Sequence, residues 1–411
     1  MTGRTAAQEA GQAAGQAGAA QAGTSHAAYL ARARFGLLDG LRALAIAAVV
    51  FHHAPLRDRI EEVSILFRRG FLGVDFFFVI SGFLITTLLL RERDRTGRIS
   101  LGGFYWRRSL RILPLYLLVV TAVGAYFVFV NPAPGAAERW PFYYLFLANF
   151  LVGDIPLLAP TWSLSVEEQY YLIWPALVLL LPVRALMPLL AVLVALNVAG
   201  IMGLTGIAAP EAGPLRFALP AATYAPILLG SALALALHGA AGYRRLAAML
   251  GRAWSAPVLA ALLLGLLLGL PEDLRGLPNL AIHLTMTALL GALVIREDGP
   301  FAPLLGAAPV ARIGAISYGI YLLHLIALDA GHRLAALLGA APDGIVLHLA
   351  YIAGSVALAE LSFRHFESVF LRLRHKPVGR LGRTGRRAAA GGGRSSGGTG
   401  STRAGMKEGG S

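Results

Sequence analysis

The chain has 411 residues, 56% of them hydrophobic and 14% charged, with a mean hydropathy of +0.65. That is too apolar for an ordinary soluble domain and marks a polytopic membrane protein. The net charge of +14 lies largely in the tail and in a few loops, so it speaks to orientation in a bilayer rather than to nucleic-acid binding, and the lack of cysteine excludes disulfides, thiolate ligands and cysteine nucleophiles.

Residues 1–34 are rich in Ala, Gly and Gln and hold few large apolar side chains, so a disordered N-terminal arm is expected. They lack the apolar core of a signal peptide. Apolar runs of spanning length follow at 37–56, 71–90, 112–130, 165–182, 185–205, 219–238, 254–270, 279–295, 313–330 and 344–363. The predicted fold is therefore all-α, a transmembrane bundle of ten spans occupying residues 35–366. The stretch 141–153, PFYYLFLANFLVG, is short and aromatic, which suits an interfacial or re-entrant segment; counted as a span it gives eleven.

Arginine counts favour ten. With 141–153 not crossing, one side receives the seven arginines from Arg91 to Arg111, then Arg184, Arg244, Arg245, Arg252, Arg296 and Arg312. That side is the cytoplasm, which puts both termini inside and the protein in the cell membrane. One loop disagrees: residues 57–70 should be outside yet hold Arg57, Arg59, Arg68 and Arg69. Residues 367–411 read as a basic disordered tail attracted to anionic lipid, and no soluble extracytoplasmic domain is expected after the last span.

The first run, LLDGLRALAIAAVVFHHAP, carries an arginine near one end and histidines near the other. Eleven helical steps make three turns plus about 20°, so Arg42 and His53 share a face while His52 points roughly 80° away. Ionisable groups inside a membrane normally face a bundle interior or a wet cavity. Depth sorts the rest into two layers. Arg42, Arg108 and Arg111 lie toward the cytoplasm; His53 lies about 16 Å further out, with Asp75 at the start of the second run and Glu167 and Glu168 at the outer end of the fourth. The arginines either fix orientation against headgroups or hold a phosphate-rich ligand, to which guanidinium binds bidentately. In the outer layer His53 is suited to take a proton from a hydroxyl, with Glu167 or Asp75 orienting the ring and stabilising imidazolium. Helix-dipole placement would also explain the positions of the three acids.

The ninth run, RIGAISYGIYLLHLIAL, adds Tyr318, Tyr321 and His324 at spacings of three, either a packing stripe or part of a polar passage together with Glu168. No metal-ligand spacing is convincing.

Five ordered segments, LDGLRALAIAAVVFHH, GVDFFFVISGFLIT, FYWRRSLRILPLY, WSLSVEEQYYLIWP and SYGIYLLH, resemble the signatures of the membrane-bound acyltransferase-3 family. The resemblance covers roughly residues 35–365. It implies a ten-helix membrane fold that moves acyl groups, often acetyl from acetyl-CoA, onto hydroxyls of extracytoplasmic glycans, lipids or secondary metabolites. Arg42 and His53 match the family's first-helix pair, Arg108 and Arg111 its paired arginines, and Glu167 its glutamate after Ser-Val. The expected reaction uses acyl-CoA as donor substrate, with no bound cofactor, and a hydroxyl of a polysaccharide or macrolide-like metabolite as acceptor. His53 either activates that hydroxyl or is itself acylated. A proton-coupled carrier is the competing reading, but the inverted repeats expected of one are not visible, and the ionisable residues crowd into the first half of the chain. Oligomeric state is left open.

Overall fold

The computed structural model describes residues 25–56, 64–218, 223–271, 273–339, 341 and 344–374. A short helix α1 (His26–Ala31) precedes α2 (Leu38–His52), α3 (Ser64–Arg68), α4 (Leu72–Thr96), α5 (Leu101–Ala125), α6 (Ala136–Tyr144), α7 (Thr161–Leu180) and α8 (Val183–Ile201). A two-stranded hairpin, β1 (Glu211–Ala212) with β2 (Leu215–Arg216), interrupts the helices. Then come α9 (Ala225–His238), α10 (Ala240–Leu250), α11 (Ser255–Gly269), α12 (Leu277–Ile295), α13 (Ala302–Leu305), α14 (Ala308–Ala315), α15 (Ser317–Leu337), α16 (Ile345–Ser362) and α17 (Ser368–Leu373).

Each of the ten apolar runs falls on a helix, in order α2, α4, α5, α7, α8, α9, α11, α12, α15 and α16. Among the described residues six helices are long and apolar enough to cross a membrane by themselves, or seven if α9 and α10, bent by 108° at their junction, count as one span. The stretch 141–153 contains no helix of spanning length. It holds the end of the nine-residue α6 and a single 3-10 turn at Ala148–Phe150. Residues 25–34, assigned above to a disordered arm, are instead partly helical: Ser25 caps α1, and Tyr29 is buried against Phe35 and Tyr243. The start of the expected tail is likewise helical at α17. Residues 1–24 and 375–411 lie outside the described residues.

Packing distributes the helices by burial. The hydrophobic window of the α3–α4 span is 78% buried, that of α8 only 17%. Helix α4 is thus the centre of the bundle and α8 lies at its lipid-facing edge. Close approach of α4 to α9 rests on two glycines: a Cβ on Gly82 would lie 1.9 Å from the Ile227 carbonyl oxygen, and one on Gly230 would lie 2.1 Å from that of Val79. Small residues at such a crossing let backbones touch and gain dispersion where lipid supplies no hydrophobic driving force. Hydroxyl contacts add to it: Tyr170 of α7 meets Ser231 of α9 at 2.5 Å, and the Trp174 indole donates to Thr86 of α4 at 2.8 Å.

Helix ends buried in the bundle need partners for their free backbone groups. Asn197 of α8 accepts from the first amides of α9, Tyr224 N at 3.2 Å and Ala225 N at 2.8 Å. Arg32 donates to the Val294 and Ile295 carbonyls that close α12. Arg69, only 5% exposed, donates to the carbonyls of Leu266, Leu267, Leu270 and Pro271 at the end of α11. That contact accounts for part of the arginine excess in the loop that disagreed with the orientation rule: Arg69 is a buried C-terminal cap, not a charge facing headgroups.

Candidate functional site

The three arginines of the inner layer converge. Arg42 comes from α2, about one turn from its start, and Arg108 and Arg111 come from α5, one turn apart on one face. All three line two cavities. The larger, about 1150 Å³, is a vestibule walled by Arg32, Arg91, Arg95, Arg107 and Arg374 besides these three, against Glu92 and Asp94. The smaller, about 80 Å³, is a chamber that also takes Ser81, Ser163, Glu167, Tyr318 and Tyr321. The shared guanidinium layer therefore stands between an open basic mouth and a chamber with room for a few waters or a small acyl group.

Their charges are unequally matched. Arg42 pairs with Asp39 at 2.9 Å. Arg108 lies 3.9 Å from Glu167 and stacks over the Tyr171 ring with its guanidinium carbon 3.9 Å from the centroid. Arg111 makes no ion pair or hydrogen bond among the described residues, although it lines both cavities. A cation held inside a bundle with no direct partner, only the more distant carboxylates of Asp39 and Glu367, is placed to take an anionic ligand.

Glu167 was expected beside His53 and is found elsewhere. Its Oε1 accepts from the Ser81 hydroxyl at 2.6 Å and its Oε2 faces Arg108, so it belongs to the arginine layer. The cause is where α7 begins. Thr161, Ser163 and Ser165 are all buried, so the helix starts already packed inside the bundle, and Glu167 lies about 9 Å further along it. Asp75 also has another partner: His283 of α12 donates to it at 2.9 Å, with both side chains almost wholly buried. The expected Asp75–His53 contact is not made.

His53 sits at the end of α2, where the backbone has already left helical geometry. Its Nδ1 donates to the Val49 carbonyl at 3.0 Å, which leaves Nε2 as the nitrogen with a basic lone pair. Its ring lies 4.8 Å from His52 and 5.0 Å from His324 of α15. The shared face of Arg42 and His53 holds, since both look toward α15. They do not share one cavity: His53 is absent from the chamber lining, and Tyr321 and His324 occupy the step between.

Of the residues expected along a polar passage, Tyr318 and Tyr321 line the chamber; His324 and Glu168 do not. The tyrosines are held as struts. Tyr318 donates to the Ile112 carbonyl at 2.7 Å, and Tyr321 donates to that of Pro160 at 2.8 Å while meeting Ser163 at 2.7 Å. Glu168 keeps a buried Oε1 without a hydrogen-bond partner.

Sequence reasoning missed Ser81, Ser163 and Glu367. The two serines stand inside the segments GVDFFFVISGFLIT and WSLSVEEQYYLIWP, and their register with Glu167 and Tyr321 was the available signal. Glu367 had none: a π-helical turn at Phe363–Glu367 widens the last helix and brings this carboxylate, buried, against Gly319 within electrostatic reach of Arg111.

The family model described as an acyltransferase domain matches residues 35–361. The chain is 31% identical over 363 residues to the peptidoglycan O-acetyltransferase OatA of Listeria monocytogenes, covering 80% of this chain and 55% of that protein. It is 34% identical over 153 residues to the O-acetyltransferase OatA of Staphylococcus aureus, covering 34% of this chain and 24% of that one. The chain thus spans about half the length of the Listeria relative, and a quarter of the other. No solved structure matches. These similarities give the carrier reading no support. With a transmembrane-type helical bundle, a converging arginine layer and a family match over residues 35–361, the chain belongs to the acyltransferase-3 family.

Proposed function

We propose that this protein is an integral membrane O-acyltransferase that takes an acyl group, acetyl, from acyl-CoA at the cytoplasmic face and transfers it to a hydroxyl of a carbohydrate acceptor beyond the membrane. The observation that carries this reading is Arg111, a guanidinium with no ion pair or hydrogen bond among the described residues and only longer-range attraction to Asp39 and Glu367, set between Arg42 and Arg108 where vestibule and chamber meet. The ligand that answers it is polyanionic at one end and small at the other. Phosphates occupy the arginine-lined mouth, and the acyl arm passes the guanidinium layer and the chamber to bring the thioester to the step at Tyr321 and His324, beside which His53 lies. Ten spans with both ends in the cytoplasm orient the mouth inward, in keeping with the arginines between Arg91 and Arg111.

His53 removes the acceptor's proton at Nε2, since Nδ1 is engaged by Val49. The hydroxyl oxygen attacks the acyl carbon, the carbon–sulfur bond breaks, and the leaving thiolate takes up the proton. Glu167, joined to Ser81 and Arg108, positions the donor-binding arginine rather than the imidazole. The glycan strand of peptidoglycan is the acceptor suggested by the Listeria relative's name.

The test is transfer from labelled acetyl-CoA to uncrosslinked peptidoglycan fragments by the purified protein in lipid vesicles. Label in the glycan, lost in His53→Ala and weakened in Arg111→Ala, supports the reading. Absence of both glycan label and free coenzyme thiol overturns it. Rapid acid quenching under single turnover separates direct attack from an acyl-histidine, which would carry label on the protein.

A further inference from the structure

The vestibule lies between α4 and α5, and one face of each helix lines it. On α4 that face runs from Leu84 and Leu88 to Glu92 and Arg95, at intervals of three and four residues; on α5 it runs from Phe104 to Arg111. The two helices are joined only by residues 97–100, with Arg95 one residue from the end of α4 and Arg111 ten residues into α5. The two arginines therefore stand at opposite ends of the vestibule, roughly 13 Å apart in depth.

They share one property. Neither Arg95, which is exposed at the rim, nor Arg111 at the inner end makes an ion pair or hydrogen bond among the described residues. Other arginines of the same wall are committed: Arg32 donates to the carbonyls of Val294 and Ile295, Arg91 to those of Arg32 and Tyr29, and Arg107 lies 3.5 Å from Glu92. The acids of the mouth are committed as well, since Glu92 also accepts from the Ser100 amide at 3.2 Å and Asp94 faces His238 at 3.1 Å. An anion arriving at the rim meets an uncommitted guanidinium and no uncommitted carboxylate.

Two such guanidiniums at separate depths call for a ligand with two separated anionic groups. Coenzyme A has them: a pyrophosphate that leads into the pantetheine arm, and a phosphate monoester set apart on the ribose. A phosphopantetheine carried on a protein has a single phosphodiester and would leave the rim unanswered. We propose that Arg95 is the subsite for the ribose 3′-phosphate of acyl-CoA, with the pyrophosphate on the layer of Arg42, Arg108 and Arg111. The proposal rests on the acyl-transfer reading and adds to it the choice of donor, a nucleotide thioester that bears this phosphate. Far from the reacting carbon, Arg95 makes the same contact before and during transfer, so it sets donor affinity and leaves the chemical step alone. Its exposure keeps the contact modest and sensitive to salt. Arg95 also lies in the last turn of α4, where a cation complements the helix dipole. That placement alone affects stability and not the recognition of one phosphate.

The experiment compares acetyl-CoA with 3′-dephospho-acetyl-CoA as donors to uncrosslinked peptidoglycan fragments, in the parent, Arg95→Ala, Arg95→Lys and Arg98→Ala. Arg98 is the control, exposed in the loop 97–100 and no part of the vestibule wall. In the parent, removal of the 3′-phosphate is expected to raise KM about fivefold at low salt with kcat unchanged. Arg95→Ala should raise KM for acetyl-CoA by the same factor and leave that for the dephospho donor where it was, so that the two become equal. Arg95→Lys should keep most of the discrimination, Arg98→Ala all of it, and added salt should narrow it in the parent. A parent that treats the donors alike, or an Arg95→Ala variant that weakens both equally, overturns the proposal. Equilibrium binding of CoA and 3′-dephospho-CoA to the same proteins in detergent provides a readout independent of turnover. A difference in affinity that vanishes in Arg95→Ala supports the subsite even in a preparation that transfers no acetyl, in which case the acyl-transfer reading fails instead. Transfer without any such difference leaves that reading standing and removes the subsite, and failure of both nucleotides to bind overturns the two together.

Discussion

Asp75 and His283 form a hydrogen-bonded pair at 2.9 Å, sealed between α4 and α12 with 4% and 2% of their surfaces exposed. The pair joins the central helix to one that reaches it only after the chain has passed through most of the bundle. It ties Asp75 to the packing of two helices, and the contact expected with His53 is not made.

Asp75→Ala is therefore expected to lower stability by about 3 kcal/mol, because it leaves His283 buried without its partner. Thermal melting in detergent checks the value. The double variant Asp75→Leu with His283→Phe should recover much of the loss, since replacing both members removes the orphaned polar group. A single variant that melts normally yet transfers nothing would put Asp75 back at the reacting centre.

Arg111→Ala should raise KM for acetyl-CoA by about 30-fold, equivalent to ~2 kcal/mol for one charge-assisted phosphate contact, with kcat less affected. Arg111→Lys should fall between, because a point charge loses the bidentate geometry. The check is initial rate against acetyl-CoA concentration. Unchanged KM in the alanine variant would remove Arg111 from the donor site.

Glu167 holds Ser81 and lies beside Arg108. Glu167→Gln keeps its shape and removes its charge, so the expected effect is a rise of about 10-fold in KM for acetyl-CoA. The pH dependence of kcat, set by the imidazoles, should not move. A displaced pH profile would instead connect Glu167 to His53.

Arg69→Met removes four hydrogen bonds to the end of α11 and leaves those carbonyls buried. A loss of about 3 kcal/mol is expected. Activity at a permissive temperature should survive, because Arg69 lies far along the chain from the arginines of the chamber and lines neither cavity. Melting temperature and turnover measured side by side test both halves.

What the chain alone determined is what depends on local order. Hydropathy placed a helix at each of the ten apolar runs, six or seven of them long and apolar enough among the described residues to cross a membrane, because an apolar run that must satisfy its own backbone in lipid has only the helix open to it. Helical periodicity put Arg42 and His53 on the face that meets α15, and Arg108 and Arg111 on one face of α5, because those relations are complete within a single helix. Tertiary structure decided the partners. Glu167 joined the arginines because α7 begins packed inside the bundle; Asp75 met His283 because α12 packs against α4; Arg69 turned inward because α11 ends beside it. Glu367 came into range of Arg111 only through a local widening of its helix. Depth, crossing and register between helices arise from packing among segments distant in sequence, and no single apolar run contains that information.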